Sequence, residues 1–178
     1  MSVARVRISV GVTGHRHFNE RIDKHFLEHV DNTLCRSDWR RAEHRDLFSG
    51  LAEGADLIVA ERAVAMGWNL KAILAKPLPL YYDDFTSSDS KRKLDHMLSL
   101  ATEVISVAGE GCNDAQCYMN VGDLIIENAC FLIAVCDLDL HNPSPGGTAW
   151  VVNRFIESKG RDALFLIPVT RSVVRELD

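Results

Sequence analysis

The chain has 178 residues, 47% apolar and 25% charged, with a net charge of −5. That is enough chain for one well-buried domain and too little for two. The proportions exclude a disordered chain, a collagen-like repeat and a disulfide-stapled miniprotein. No apolar run approaches the roughly 20 residues a membrane helix needs. Met1–Arg7 carries arginines but no apolar signal-peptide stretch, so a cytoplasmic protein is expected. Twenty Lys and Arg stand against 25 Asp and Glu. A protein that grips a phosphate backbone usually shows a basic surplus, so nucleic acid is expected to be an unlikely partner. The five cysteines, Cys35, Cys112, Cys117, Cys130 and Cys136, form neither a disulfide framework nor a zinc pattern. No metal is expected. Cys130 and Cys136 read as small core fillers in a reducing compartment.

In chain order, Val6–Val12 reads as a strand closed by Gly-Val-Thr-Gly, and Arg21–Cys35 as a helix on the stripe Ile22, Phe26, Val30 and Leu34. Asp46–Phe48 is a short strand ending at Ser49-Gly50. Ala52–Met66 is a helix stopped by Gly67. Leu70–Leu74 is a third strand, running into a loop, Pro77–Phe85, that offers two tyrosines as a lid, a base-stacking wall or a plain connection. Ser88–Leu100 gives a helix, Glu103–Ala108 a fourth strand and Asp114–Asn128 another helix. Cys130–Cys136 is almost wholly apolar, as a strand covered on both faces should be. Gly147–Ser158 is a last helix and Ala163–Val169 a last strand. Strands alternating with helices predict one α/β domain over residues 1–178, a doubly wound, mainly parallel sheet of about six strands with helices on both faces.

Such sheets bind ligands beyond the carboxyl ends of their strands, where strand order reverses. After the first strand comes Gly11-Val12-Thr13-Gly14-His15-Arg16, a tight turn followed by two basic residues that suit a phosphate or carboxylate. After the second comes Ser49-Gly50-Leu51-Ala52-Glu53-Gly54-Ala55-Asp56. Ser49 suits a helix cap. Glu53 fits dipole capping or a ribose hydroxyl about equally, and Asp56 fits capping better. After the fifth, Asp137 and Asp139-Leu140-His141-Asn142 lead into Gly146-Gly147-Thr148, a glycine-rich helix start whose N–H groups and threonine hydroxyl suit a phosphate. The plainer reading there is a helix capped by Thr148.

These three segments, in this order over nearly the whole chain, resemble the SLOG superfamily. Its members are Rossmann-like nucleotide-binding domains, among them the Lonely Guy phosphoribohydrolases, the Rossmann domain of DNA-processing protein A and sensor modules of bacterial defence systems. The resemblance implies a strand order near 3-2-1-4-5 with one added strand, and a nucleotide-like ligand across the switch point. Hydrolytic members carry Gly-Gly-x-Gly-Thr-x-x-Glu. Aligning Gly147-Thr148 with that Gly-Thr puts Val151 at the glutamate position, and the alternative register puts Asn153 near it. Neither side chain can do acid–base work. Glu53, Asp137 or Glu127 could substitute, although no pattern in the sequence argues for them.

The expected function is therefore nucleotide binding by a sensor or regulatory module, with no cofactor. The implied ligand-binding residues are Thr13, Gly14, His15, Arg16, Ser49, Gly50, Glu53, Gly54, Asp137, Gly146, Gly147 and Thr148. A homodimer or higher homo-oligomer and a separately encoded effector are the expected protein partners. The alternatives are an N-glycosidic hydrolase working through Glu53 or Asp137 and, least favoured by charge, a single-stranded DNA binder.

Overall fold

The computed structural model describes residues 6–18, 25–109, 111–137, 139–141 and 143–170. Their elements run β1 (Arg7–Gly14), α1 (Phe26–Leu34), α2 (Ser37–Arg40), β2 (His44–Ser49), α3 (Ala55–Ala65), β3 (Asn69–Leu74), α4 (Leu78–Tyr81), α5 (Ser88–Leu100), β4 (Glu103–Ser106), α6 (Asp114–Asn128), β5 (Phe131–Cys136), α7 (Thr148–Lys159) and β6 (Leu164–Pro168). Every predicted strand is present. The first part of the helix predicted from Arg21, with Ile22, lies outside the described residues.

The six strands form one all-parallel sheet in the order β4-β3-β2-β1-β5-β6. This is the expected 3-2-1-4-5 order, with β4 as the added strand beyond β3. β1 lies between β2 and β5, so the chain winds outward on one side of β1 and then returns to start again on the other. That reversal places a crevice over the carboxyl ends of β1 and β5. Register brings Val12 beside Ser49 and Gly14 beside Val135, so all three glycine-rich turns leave the sheet at one edge.

Burial explains the apolar strands: Val10, Val12, Leu132, Ile133 and Ala134 have no exposed surface. α1, α3 and α5 pack in succession, and α6 packs on α7. Cys136 is buried as expected, whereas Cys130 is exposed, because β5 begins one residue later. At the opposite end of the sheet from the crevice, Trp39 of α2 meets the rings of Trp68, Phe131 and Phe165 at centroid distances of 5.7, 5.3 and 5.0 Å. These contacts hold the one-turn helix α2 in place.

Gly11 is where β1 touches α6. A Cβ there would stand 2.4 Å from Ile125 Cγ2 and 3.3 Å from Ala129 Cβ. Gly11→Ala is therefore expected to destabilise the fold by about 1–3 kcal/mol through overpacking. Gly109→Ala, where a Cβ meets nothing within 4 Å, should be close to neutral. Denaturant unfolding of the two variants checks the difference.

Candidate functional site

A cleft of about 860 Å³ opens over the switch point, within the size range of small-molecule sites. Of the residues the sequence pointed to, Thr13, Gly14, His15, Arg16, Gly50, Asp137, Gly146, Gly147 and Thr148 line it. Val121, Gly122 and Ile125 of α6 form an apolar wall, with Tyr118 and Tyr81 beside it. Val151 also faces the cleft, so the position aligned with the hydrolases' glutamate is apolar in place as well as in sequence.

Ser49, Glu53 and Gly54 do not line the cleft. Ser49 is buried and its Oγ accepts the Leu51 N–H at 3.0 Å, bracing a turn in which Leu51 takes a φ of +53°. Glu53 turns the other way and accepts the backbone N–H and hydroxyl of Thr86, each at 3.0 Å. Burial pushes the Glu53 carboxyl up, but hydrogen bonds from Ser90 and Thr86 hold it below its ordinary range. Its lone pairs are engaged in fastening the β2–α3 turn to the start of α5, so it is placed neither to cap α3 nor to meet a ribose. Gly54 has a φ of +89°, and a Cβ would fall 2.2 Å from the Arg16 carbonyl oxygen. It lets the turn pass beneath His15-Arg16 rather than admitting a ligand. Glu127 is exposed near the far end of α6 and Asn153 donates to the Leu140 carbonyl at 3.2 Å. Neither lines the cleft.

The helix start differs in detail from its sequence reading. The N-cap of α7 is Gly147, with no side-chain cap, so Thr148 is the first helical residue rather than the cap. The Gly147 N–H donates to the Ser144 carbonyl at 2.9 Å and is closed to a ligand. The first-turn N–H groups that remain begin at Thr148. Gly146 adopts a φ of +75°, and a Cβ would stand 2.7 Å from Tyr118 Cβ and 2.9 Å from the Met119 nitrogen. It seats the loop against α6.

The basic residues after β1 are fixed from several sides. The Asp137 N–H lies 3.1 Å from His15 Nε2, and Asp137 Oδ1 lies 3.2 Å from the same nitrogen. With its proton on Nδ1 the ring accepts from the backbone; as imidazolium it donates to the carboxylate. Either form ties the end of β1 to the end of β5. Arg16 stacks 5.1 Å over the Tyr118 ring and reaches the Asp84 carbonyl at 3.4 Å. Burial pulls its pKa down, yet Tyr118, Tyr81 and Asp84 more than offset that and raise it. Tyr118 donates its hydroxyl to Asp84, whose other oxygen accepts from Lys76 at 3.0 Å. Burial and that hydrogen bond push Tyr118 up to about 12, so it stays a donor. The predicted Pro77–Phe85 loop contains α4 and serves as a wall: Tyr81 is buried and donates to the Gly50 carbonyl at 2.7 Å.

The sequence reading gave Asp56 to the capping of α3 and left it out of the site. It lines the cleft, is 7% exposed, and its Oδ1 has no hydrogen-bond partner. Desolvation raises its carboxyl from 3.8 to about 7 against the opposing pull of Arg16 and of the backbone at Ala52 and Gly14. α3 has no side-chain cap, so Asp56 is not the cap expected of it. A helix-dipole carboxylate should be solvated; the signal that separates the two is the row of small residues around it, Gly50, Ala52, Gly54 and Ala55, which leaves it no solvent to face.

No family model and no curated protein matches the chain. Among solved structures, DNA processing protein A from Streptococcus pneumoniae superposes with a TM-score of 0.60 at 20% identity, over 96% of this chain and 52% of that one. DNA processing protein A from Helicobacter pylori superposes with a TM-score of 0.57 at 15% identity, over 94% of this chain and 67% of that one. The chain thus spans about half the length of the first and two thirds of the second, and it shares their Rossmann-like α/β fold. The H. pylori protein binds single-stranded DNA. That corrects the expectation drawn from net charge: a chain-wide acidic balance does not make nucleic acid an unlikely partner for this fold.

The raised Asp56 carboxyl has a consequence for stability. Unfolded, it ionises near 3.8; folded, near 7. The folded state therefore holds the proton longer and loses stability as pH rises through that window. Relative to Asp56→Asn, the natural protein should lose on the order of 4 kcal/mol between pH 4 and pH 7.5. Paired denaturant titrations at several pH values measure this. A constant difference between the two proteins would contradict it.

Proposed function

We propose that the cleft binds a nucleotide. The observation that carries the reading is the convergence, at one switch-point cleft, of a half-buried and stacked Arg16 with the open N–H groups at the start of α7. A phosphate suits both: the helix start offers N–H donors and a favourable dipole, and the guanidinium offers a planar fork. Tyr81, Tyr118, Val121 and Ile125 supply a flat, largely apolar wall suited to a base. Binding rather than hydrolysis is favoured because Val151 stands at the position aligned with the hydrolases' glutamate, and of the two substitutes Glu53 turns away to Thr86 while Asp137 is tied to His15.

Single-stranded DNA is the second reading, supported by the likeness to the H. pylori protein. Here one nucleotide of the strand would enter the same cleft and the rest would run along the carboxyl edge of the sheet.

Calorimetry with nucleoside monophosphates and anisotropy with a labelled oligothymidine, both over a range of salt, separate the two. Free nucleotides binding with weak salt dependence support the first reading; oligonucleotide binding that falls steeply with salt supports the second. In either case Arg16→Ala should cost about 2–4 kcal/mol of affinity, since its contacts are partly desolvated. Arg16→Lys should recover only part of it. Equal affinities for all three proteins would remove Arg16 from the site.

A further inference from the structure

We infer that Cys112 and Cys117 are a redox modification site: a peroxide converts the two thiols into a disulfide that staples the start of α6, and a small thiol reverses it. The spacing follows from the helix start. Asn113 caps α6, its side chain accepting the Gln116 N–H at 2.9 Å, and the Cys117 N–H donates to the Asn113 carbonyl at 3.0 Å. Cys112 therefore stands just before the cap and Cys117 in the fourth helical position, where an apolar pair commonly clasps a helix start. Here the clasp is made of two thiols, Cys117 donating to Cys112 Sγ with the sulfurs 2.6 Å apart. A disulfide needs about 2.05 Å, so the bond closes by a shift of about half an ångström on a cap that is already formed. The other cysteines are placed differently: Cys35 lies against Met66, Cys130 against Ser9, and Cys136 is buried.

The two sulfurs divide the chemistry between them. Cys112 is half-buried, and the loop ahead of it is open, since a Cβ at Gly109 or Gly111 meets nothing within 4 Å. Cys117 is buried, and its hydrogen bond to Cys112, then burial, push its thiol up to about 11. It keeps its proton and directs it at Cys112. Cys112 is thus the sulfur that meets an oxidant. As thiolate it attacks one oxygen of hydrogen peroxide and becomes a sulfenic acid. The O–O bond breaks, and the second oxygen leaves as water with the proton the thiol had released. The Cys117 sulfur then attacks the Cys112 sulfur, the S–O bond breaks, and the hydroxyl leaves with the Cys117 proton as a second water. Two thiols and one peroxide give one disulfide and two waters. The bond reaches the cleft through Tyr118, which follows Cys117, stacks on Arg16 and donates to Asp84. It fastens the turn from which α6 continues into the wall at Val121 and Ile125.

The test treats the whole chain with a few equivalents of hydrogen peroxide, counts free thiols and maps the peptides by mass. Thiols should fall from five to three, with Cys112 joined to Cys117 within one chain, and dithiothreitol should restore all five. In the oxidised protein, exchange of the Gln116, Cys117 and Tyr118 amides should slow by about tenfold or more. Cys117→Ser should leave Cys112 as a sulfenic acid that dimedone traps. Both thiols intact after Cys35 and Cys130 have reacted overturns the site. So does Cys112 recovered as a sulfinic acid or joined to a second chain, and none of these outcomes needs a variant to fold. A disulfide that leaves amide exchange unchanged overturns the stapling of α6.

Discussion

Everything at the carboxyl edge depends on one close crossing of backbone. The turn before α3 passes beneath the segment after β1 at Gly54, where a Cβ would meet the Arg16 carbonyl at 2.2 Å. Gly14 makes the reciprocal approach, a Cβ there falling 2.4 Å from Ala55 Cβ. Between them the Ala55 N–H donates to the His15 carbonyl at 3.1 Å, and the His15 N–H to Val135 at 2.9 Å. Two glycines and two hydrogen bonds thus lock β1, α3 and β5 into one junction. Any side chain at either glycine would push Arg16 and Asp56 apart, because both hang from it. The glycines that resemble ligand cradles in the sequence act here as spacers between protein segments.

The junction also explains how a carboxylate comes to be buried with one oxygen unpartnered. α3 begins immediately after the crossing, so its second residue points into the space the crossing closes off. Asp56 is placed there by backbone geometry; the backbone at Ala52 and Gly14 serves its carboxyl and leaves Oδ1 without a partner. Glu53, three residues earlier, escapes outward to Thr86 and is fully hydrogen-bonded. Two acids in one short segment therefore take opposite roles. One fastens α5 to the sheet edge, and the other is shut in at the junction.

Strand positions were legible in the sequence because burial on both faces leaves an unbroken apolar run, as in Phe131–Cys136, that hardly any other environment tolerates. Helices with a four-residue stripe were equally clear: Asp114–Asn128 has the limits the periodicity predicts. The short elements were not. α2 exists because Trp39 anchors in an aromatic cluster assembled from two strands and the residue before a third, and four residues carry no period of their own. α4 follows a proline-rich stretch that reads as loop, and Tyr81 holds it by one hydrogen bond to the distant Gly50. The exchange of roles between Glu53 and Asp56 was hidden for the same reason. Composition around them is alike, and only the path of the chain decides which side chain faces the crevice.

Net charge misled for a related reason: it averages over pairs that never meet a ligand. Asp31 is matched to Arg62, Glu103 to Lys71 and Asp123 to Arg154, all outside the cleft. Asp84 and Asp114 are bound to Lys76 behind Tyr118. What a phosphate experiences is set within about a Debye length, roughly 8–10 Å, and inside a partly buried cleft by fewer groups still. Within the cleft those groups are Arg16, the start of α7 and the aspartates Asp56, Asp137 and Asp139, not the chain-wide surplus of five acids. The salt dependence of binding likewise follows the number of phosphates contacted, not the charge of the whole chain. A domain of this kind can carry an acidic surface and still hold one nucleotide, free or part of a strand, by a few desolvated contacts.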